Sequence, residues 1–148
     1  MDPFPLVLTL HLLGGCVWTG GHLVLALRVL PAALRARDPA AITAFERAFE
    51  PVGLPALVVQ VATGLWLAAR FGWTPAALLA PAGGLQRAID AKLALLALTV
   101  ALAAHARLRL IPGLRAEGLP LLAAHIVAVT VTSVLFVAVG ASLRVGGL

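Results

Sequence analysis

Apolar residues run almost unbroken through four stretches of the chain, roughly Pro5–Leu30, Pro51–Ala69, Leu85 or Ile89–Leu110, and Pro120–Leu143. About 20 mostly apolar residues in a helix cross the hydrocarbon core of a bilayer. In lipid, every backbone N–H and C=O needs a partner within the protein, so runs of this kind form helices. The pattern predicts an all-α membrane protein, a four-transmembrane-helix bundle, with residues 1–148 as a single domain.

The connections carry the breakers. Pro31 follows the first run, and Asp38-Pro39 opens a segment to Glu50. In that segment Ile42, Phe45 and Phe49 recur at helical spacing opposite Glu46, Arg47 and Glu50, the pattern of a short amphipathic helix on the membrane surface or in a solvated loop. Gly72 to Gly84, with Pro75 and Pro81, reads as a loop near the interface, flanked by Trp66, Phe71 and Trp73. Pro112, Gly113 and Gly118 mark the last turn.

Composition fits this pattern. The 148 residues are 61% hydrophobic and only 11% charged, with a mean hydropathy of +1.04. Soluble domains carry about a quarter charged residues, so the partner covering this surface is the lipid bilayer. The formal charge is +5. That balance does not point to nucleic acid, because the arginines sit mainly between the apolar runs, where they anchor loops. Seven of them (Arg28, Arg35, Arg37, Arg47, Arg107, Arg109 and Arg115) follow the first and third runs, against Arg70, Arg87, Lys92 and Arg144 on the other side. Seven against four predicts that the first group is cytoplasmic and both termini lie outside. Cys16 is the one cysteine, so no internal disulfide forms. The N-terminus lacks the basic leader and cleavage site of a secretory signal, and the first run is read as a mature span.

Ionisable groups within membrane spans are costly and mark candidate sites. Here they are His11, His22, His105, His125 and Lys92, with Gln60 and Thr63 as polar groups placed to hydrogen-bond across the bundle. His11 and His22 are eleven residues apart, which brings them to within about 20° on one helix face. Trp18 and Gly15 share that face, and glycine there leaves room for a flat group or a close neighbouring helix. At about 1.5 Å per residue from the arginine-rich end, His22 lies about 12 Å deep and His105 and His125 about 8 Å. Three imidazoles from three helices thus fall in one layer, while His11 and Lys92 fall in the opposite one.

Histidine is the commonest metal ligand, so this layer predicts a metal centre. Soft Cu(I)-trafficking ligands are scarce, because Cys16 points about 140° away from His11. Bis-histidine haem b is the first expectation, with its axial pair drawn from His22, His105 and His125. Histidine-only copper or zinc sites stand as alternatives. Arg28, Arg107 or Arg109 would pair haem propionates or simply anchor the membrane surface. Asp90 is placed to pair with Lys92. A quinone, a redox partner protein, a homodimer and an enzymatic role all remain open.

The run His11-Leu-Leu-Gly-Gly-Cys-Val-Trp18-Thr-Gly-Gly21, followed by Val29-Leu30-Pro31, resembles the first helix of the copper-resistance D (CopD) membrane family. It is also similar to HemJ-type protoporphyrinogen oxidases. Thr63-Gly64 is similar to a Thr-Gly pair in the CopD family, and Ala91-Lys92-Leu93 with Arg107-Leu-Arg109-Leu-Ile-Pro112 resembles its third helix. The CopD resemblance implies copper uptake or delivery across a bacterial inner membrane. The HemJ resemblance implies a haem b carrier in which His11 is a ligand and Lys92 is important, with porphyrinogen oxidation as the activity.

Overall fold

A computed structural model describes residues 2–76 and 83–143; Pro81 of the expected loop and Arg144 lie outside them. Four long helices carry the described residues: α1, Phe4–Ala36; α2, Pro39–Arg70; α3, Gly84–Leu110; and α4, Leu119–Ser142, entered through a 3-10 turn at Ala116–Gly118. All four runs are long and apolar enough to cross a membrane. Their outward residues are apolar as well, with Leu6, Leu27, Val58 and Leu108 all more than three-fifths exposed. A water-facing surface would not be built this way, and the protein is a multi-pass membrane protein.

Two helices are longer than their apolar runs. α1 continues through Pro31 to Ala36, and α2 absorbs the Asp38–Glu50 segment and passes through Pro51 and Pro55. Asp38 caps α2, its carboxylate accepting from the Ala40 N–H at 2.9 Å, with Pro39 in the first turn. Arg37, in the left-handed conformation (φ 51°), makes the tight turn between α1 and α2. The expected surface helix therefore forms the opening turns of α2. Its apolar face covers protein, because Ile42 is fully buried with Leu25, Leu30, Ala33, Leu119, Leu122 and Ile126.

Prolines also explain two irregular turns. α1 widens to a π-helical turn at Leu25–Val29, and α3 does so at Ala106–Leu110. Each ends two residues before a proline, Pro31 or Pro112. A proline in a helix removes one N–H and crowds the carbonyl four residues back. A widened turn gives that carbonyl space, and in α3 the Ile111 N–H closes it onto the Ala106 carbonyl at 2.9 Å. Such π-bulges recur at functional sites, and here one follows His22 by three residues and the other follows His105 directly.

α1 packs along both α2 and α4, and α4 packs along α3. Thr19 donates to the Ser133 carbonyl and Thr130 to the His22 carbonyl, tying α1 to α4. α2 and α3 flank this assembly and leave a wedge between them, crossed by the Arg107–Glu50 ion pair.

A histidine pair beside an inter-helix cavity

The imidazoles of α3 and α4 meet. His105 Nδ1 lies 2.8 Å from His125 Nε2, and the rings stack at 4.9 Å and 25°. His125 Nδ1 is 3.0 Å from the Leu121 carbonyl. A carbonyl only accepts, so His125 Nδ1 holds the proton and its Nε2 accepts from His105. With both rings neutral, His105 then keeps an unprotonated Nε2. His22 follows the same rule: its Nδ1 donates to the Trp18 carbonyl at 2.9 Å, leaving Nε2 with a lone pair. A histidine that gives its Nδ1–H to a backbone carbonyl is held in the tautomer and orientation a metal ion requires.

His22 and His125 line one cavity of about 420 Å³ between α2 and α3. Its walls are mainly apolar, and at one end stand Glu46, Glu50 and Arg107. Arg107 holds Glu50 through two bonds, 2.8 and 2.6 Å. It is the one arginine or lysine lining the cavity among the described residues. The sequence placed His22, His105 and His125 in one layer. Two of them are in contact, and the third shares the cavity with His125. Among the described residues no three His, Cys, Asp or Glu side chains close into a ready metal-holding group.

The other expected residues have plain positions. His11 gives its Nδ1–H to the Gln60 carbonyl (3.1 Å) and Thr63 Oγ1 (3.0 Å), so Gln60 and Thr63 do bond across the bundle. Gly64 makes room for this ring, since a Cβ there would lie 3.0 Å from His11 Cε1. Lys92 is within electrostatic reach of His11. Its Nζ lies against Gly140, where a Cβ would approach to 3.1 Å. Asp90 does not pair with Lys92; it accepts from Trp73 Nε1 (3.0 Å) and Gln86 Nε2 (2.8 Å), two neutral donors nearer to it. Gly14 and Gly15 face Gln60 and let α2 approach α1. Cys16 is exposed.

Residues 43–143 match the family described as copper resistance protein D. The chain belongs to the copper resistance protein D (CopD) family. No curated protein and no solved structure matches it. The matched stretch covers the Thr63-Gly64, Lys92 and Arg107–Pro112 motifs, whereas the His11–Gly21 motif lies before it. In this CopD chain the Thr-Gly pair has a physical reading, one residue bonding the His11 ring and the next making space for it.

Sequence reasoning did not select Glu46 and Glu50, which it set on the face away from Phe45 and Phe49. Four residues apart, they share one helix face, and that spacing was the available signal. It also passed over a repeat: Leu27-Arg28-Val-Leu-Pro31 and Leu108-Arg109-Leu-Ile-Pro112 are one pattern, and in each a π turn ends two residues before the proline.

Proposed function

We propose that this CopD-family protein handles copper as cargo within the membrane, as a transport or delivery module, taking the ion at the His105–His125 pair. The contact between those rings carries the reading. Each has an unprotonated Nε2, so an ion is taken without removal of a proton, although one ring must turn to release the bond between them. Two nitrogens that each lie ~2.0 Å from one metal ion stand roughly 3–4 Å from each other, according to the angle between them. The 2.8 Å contact engages His125 Nε2 with His105 Nδ1, so turning one ring releases the second donor nitrogen. Imidazole suits copper. Paired donors on the flank of an open cavity, with His22, Glu46 and Glu50 beyond, suit an ion that is passed on. The arginine-rich end, where the pair lies, is assigned to the cytoplasm of the inner membrane by the loop charges.

Haem b fits these residues less well. A porphyrin between His105 and His125 would have to prise open a stacked, hydrogen-bonded pair of rings. A porphyrin between His22 and His125 would set its propionates near Glu46 and Glu50, with Arg107 already engaged by Glu50. HemJ-type porphyrinogen oxidation would centre on His11 and Lys92, but the His11 Nδ1–H is already bonded to Gln60 and Thr63 of α2, and its ring packs on Gly64. The test is cellular copper in a strain expressing the protein. Wild type is expected to change copper content, and His105→Ala and His125→Ala, at equal expression, to abolish the change. Equal copper content with all three proteins contradicts the proposal.

A further inference from the structure

The cavity between α2 and α3 has a second character that copper does not explain. One wall is a string of aromatic rings: Trp18 against His22 at 4.4 Å, His22 against Phe49 at 6.1 Å, and Phe49 stacked on Phe45 at 5.8 Å and 19°. All four side chains line the cavity. Two glycines serve this wall, because a Cβ on Gly21 or Gly53 would collide with the Phe49 ring. Trp18 is only 9% exposed, and among the described residues its Nε1–H meets no acceptor. A buried N–H without a partner is a substantial loss, and it is removed by a ligand that brings an oxygen.

We propose that this cavity binds a neutral, membrane-soluble quinone, whose flat ring lies along the aromatic wall and whose carbonyl oxygen accepts from Trp18 Nε1–H. Flat conjugated rings are the partners that aromatic faces select by offset stacking. The volume of about 420 Å³ falls in the range of small-molecule sites, about 300–1,000 Å³. Apolar residues from both flanking helices, Leu54 and Leu57 of α2 and Val100 and Leu102 of α3, complete the walls and leave an isoprenoid tail in apolar surroundings. A neutral head group suits a site with two carboxylates and one arginine. The Trp18 nitrogen is covered by its neighbours, so the indole turns as the ligand enters. This binding rests on the cavity alone, and its failure leaves the copper proposal standing.

The probe is ubiquinone with a single isoprene unit, titrated calorimetrically into the full chain in phosphatidylcholine nanodiscs, with empty nanodiscs as reference. Saturable binding is expected. Trp18→Phe keeps the ring and loses the donor, and should weaken binding about two- to tenfold, the loss of one hydrogen bond. Val100→Phe fills the cavity from a position half exposed on α3 and should abolish binding, with circular dichroism confirming an unchanged helical fold. Dodecanol, which has a hydroxyl and a chain but no ring, should not compete. Absence of saturable binding by wild type overturns the proposal. So does unchanged affinity in both variants. Displacement by dodecanol also overturns it and makes the wedge a groove for acyl chains.

Discussion

Whether an imidazole can take a metal ion depends on which nitrogen holds its proton. In this protein, backbone carbonyls settle that for His22 and His125, and His125 in turn settles it for His105. His105→Ala or His125→Ala should each weaken copper binding at least tenfold, measured by competition with a chromogenic chelator, because one donor of the pair is gone. His11→Ala should leave it unchanged, since that ring is committed to α2. Gly21 makes a second residue-scale case. Alanine is the better helix former, yet its Cβ would strike Phe49. Gly21→Ala is expected to lower stability by about 1–3 kcal/mol in detergent unfolding, the usual cost of overpacking. Adding Phe49→Leu should recover most of the loss. A stabilised single variant would show that the Phe49 ring does not rest where it is described.

Among the elements, one π turn follows His22 by three residues and the other follows His105 directly. A π turn accommodates one residue more than regular α-helix does, so removing one residue there returns the helix to α register with its flanks in place. Deletion of Arg28, inside Leu25–Val29, should be tolerated by the folded protein. Deletion of Val131 in α4 should unfold it, because the buried Thr132 and Ser133 would rotate out of the interior. Size-exclusion chromatography and thermal unfolding of both variants check this. The helix ends were the feature of the fold least legible in the sequence. Pro31 was read as a breaker after the first run and Pro51 as the start of the second, but both lie inside helices, and the buried contacts of Leu30 and Ala33 hold the chain helical around Pro31.

For the whole molecule, hydropathy alone made the four-helix architecture legible, since lipid leaves the backbone few choices. The depth count placed His105 and His125 at one level, where their rings meet, because rise per residue is fixed in a helix. The cavity was not legible, as it depends on which helices pack: α1 takes the centre, and α2 and α3 are left separated. Orientation remains an expectation of the loop charges. With Cys16 replaced by serine, a cysteine at Gly113 should react with a membrane-impermeant maleimide only after the membrane is opened from the cytoplasmic side. The claim that most else depends on is that imidazoles from α3 and α4 hold one copper ion together. Pulsed electron paramagnetic resonance of the protein loaded with one equivalent of Cu(II) counts the coordinated imidazoles through their remote nitrogens. Two are predicted, with both signals lost in the His105→Ala, His125→Ala double variant; an identical spectrum from that variant would contradict the account.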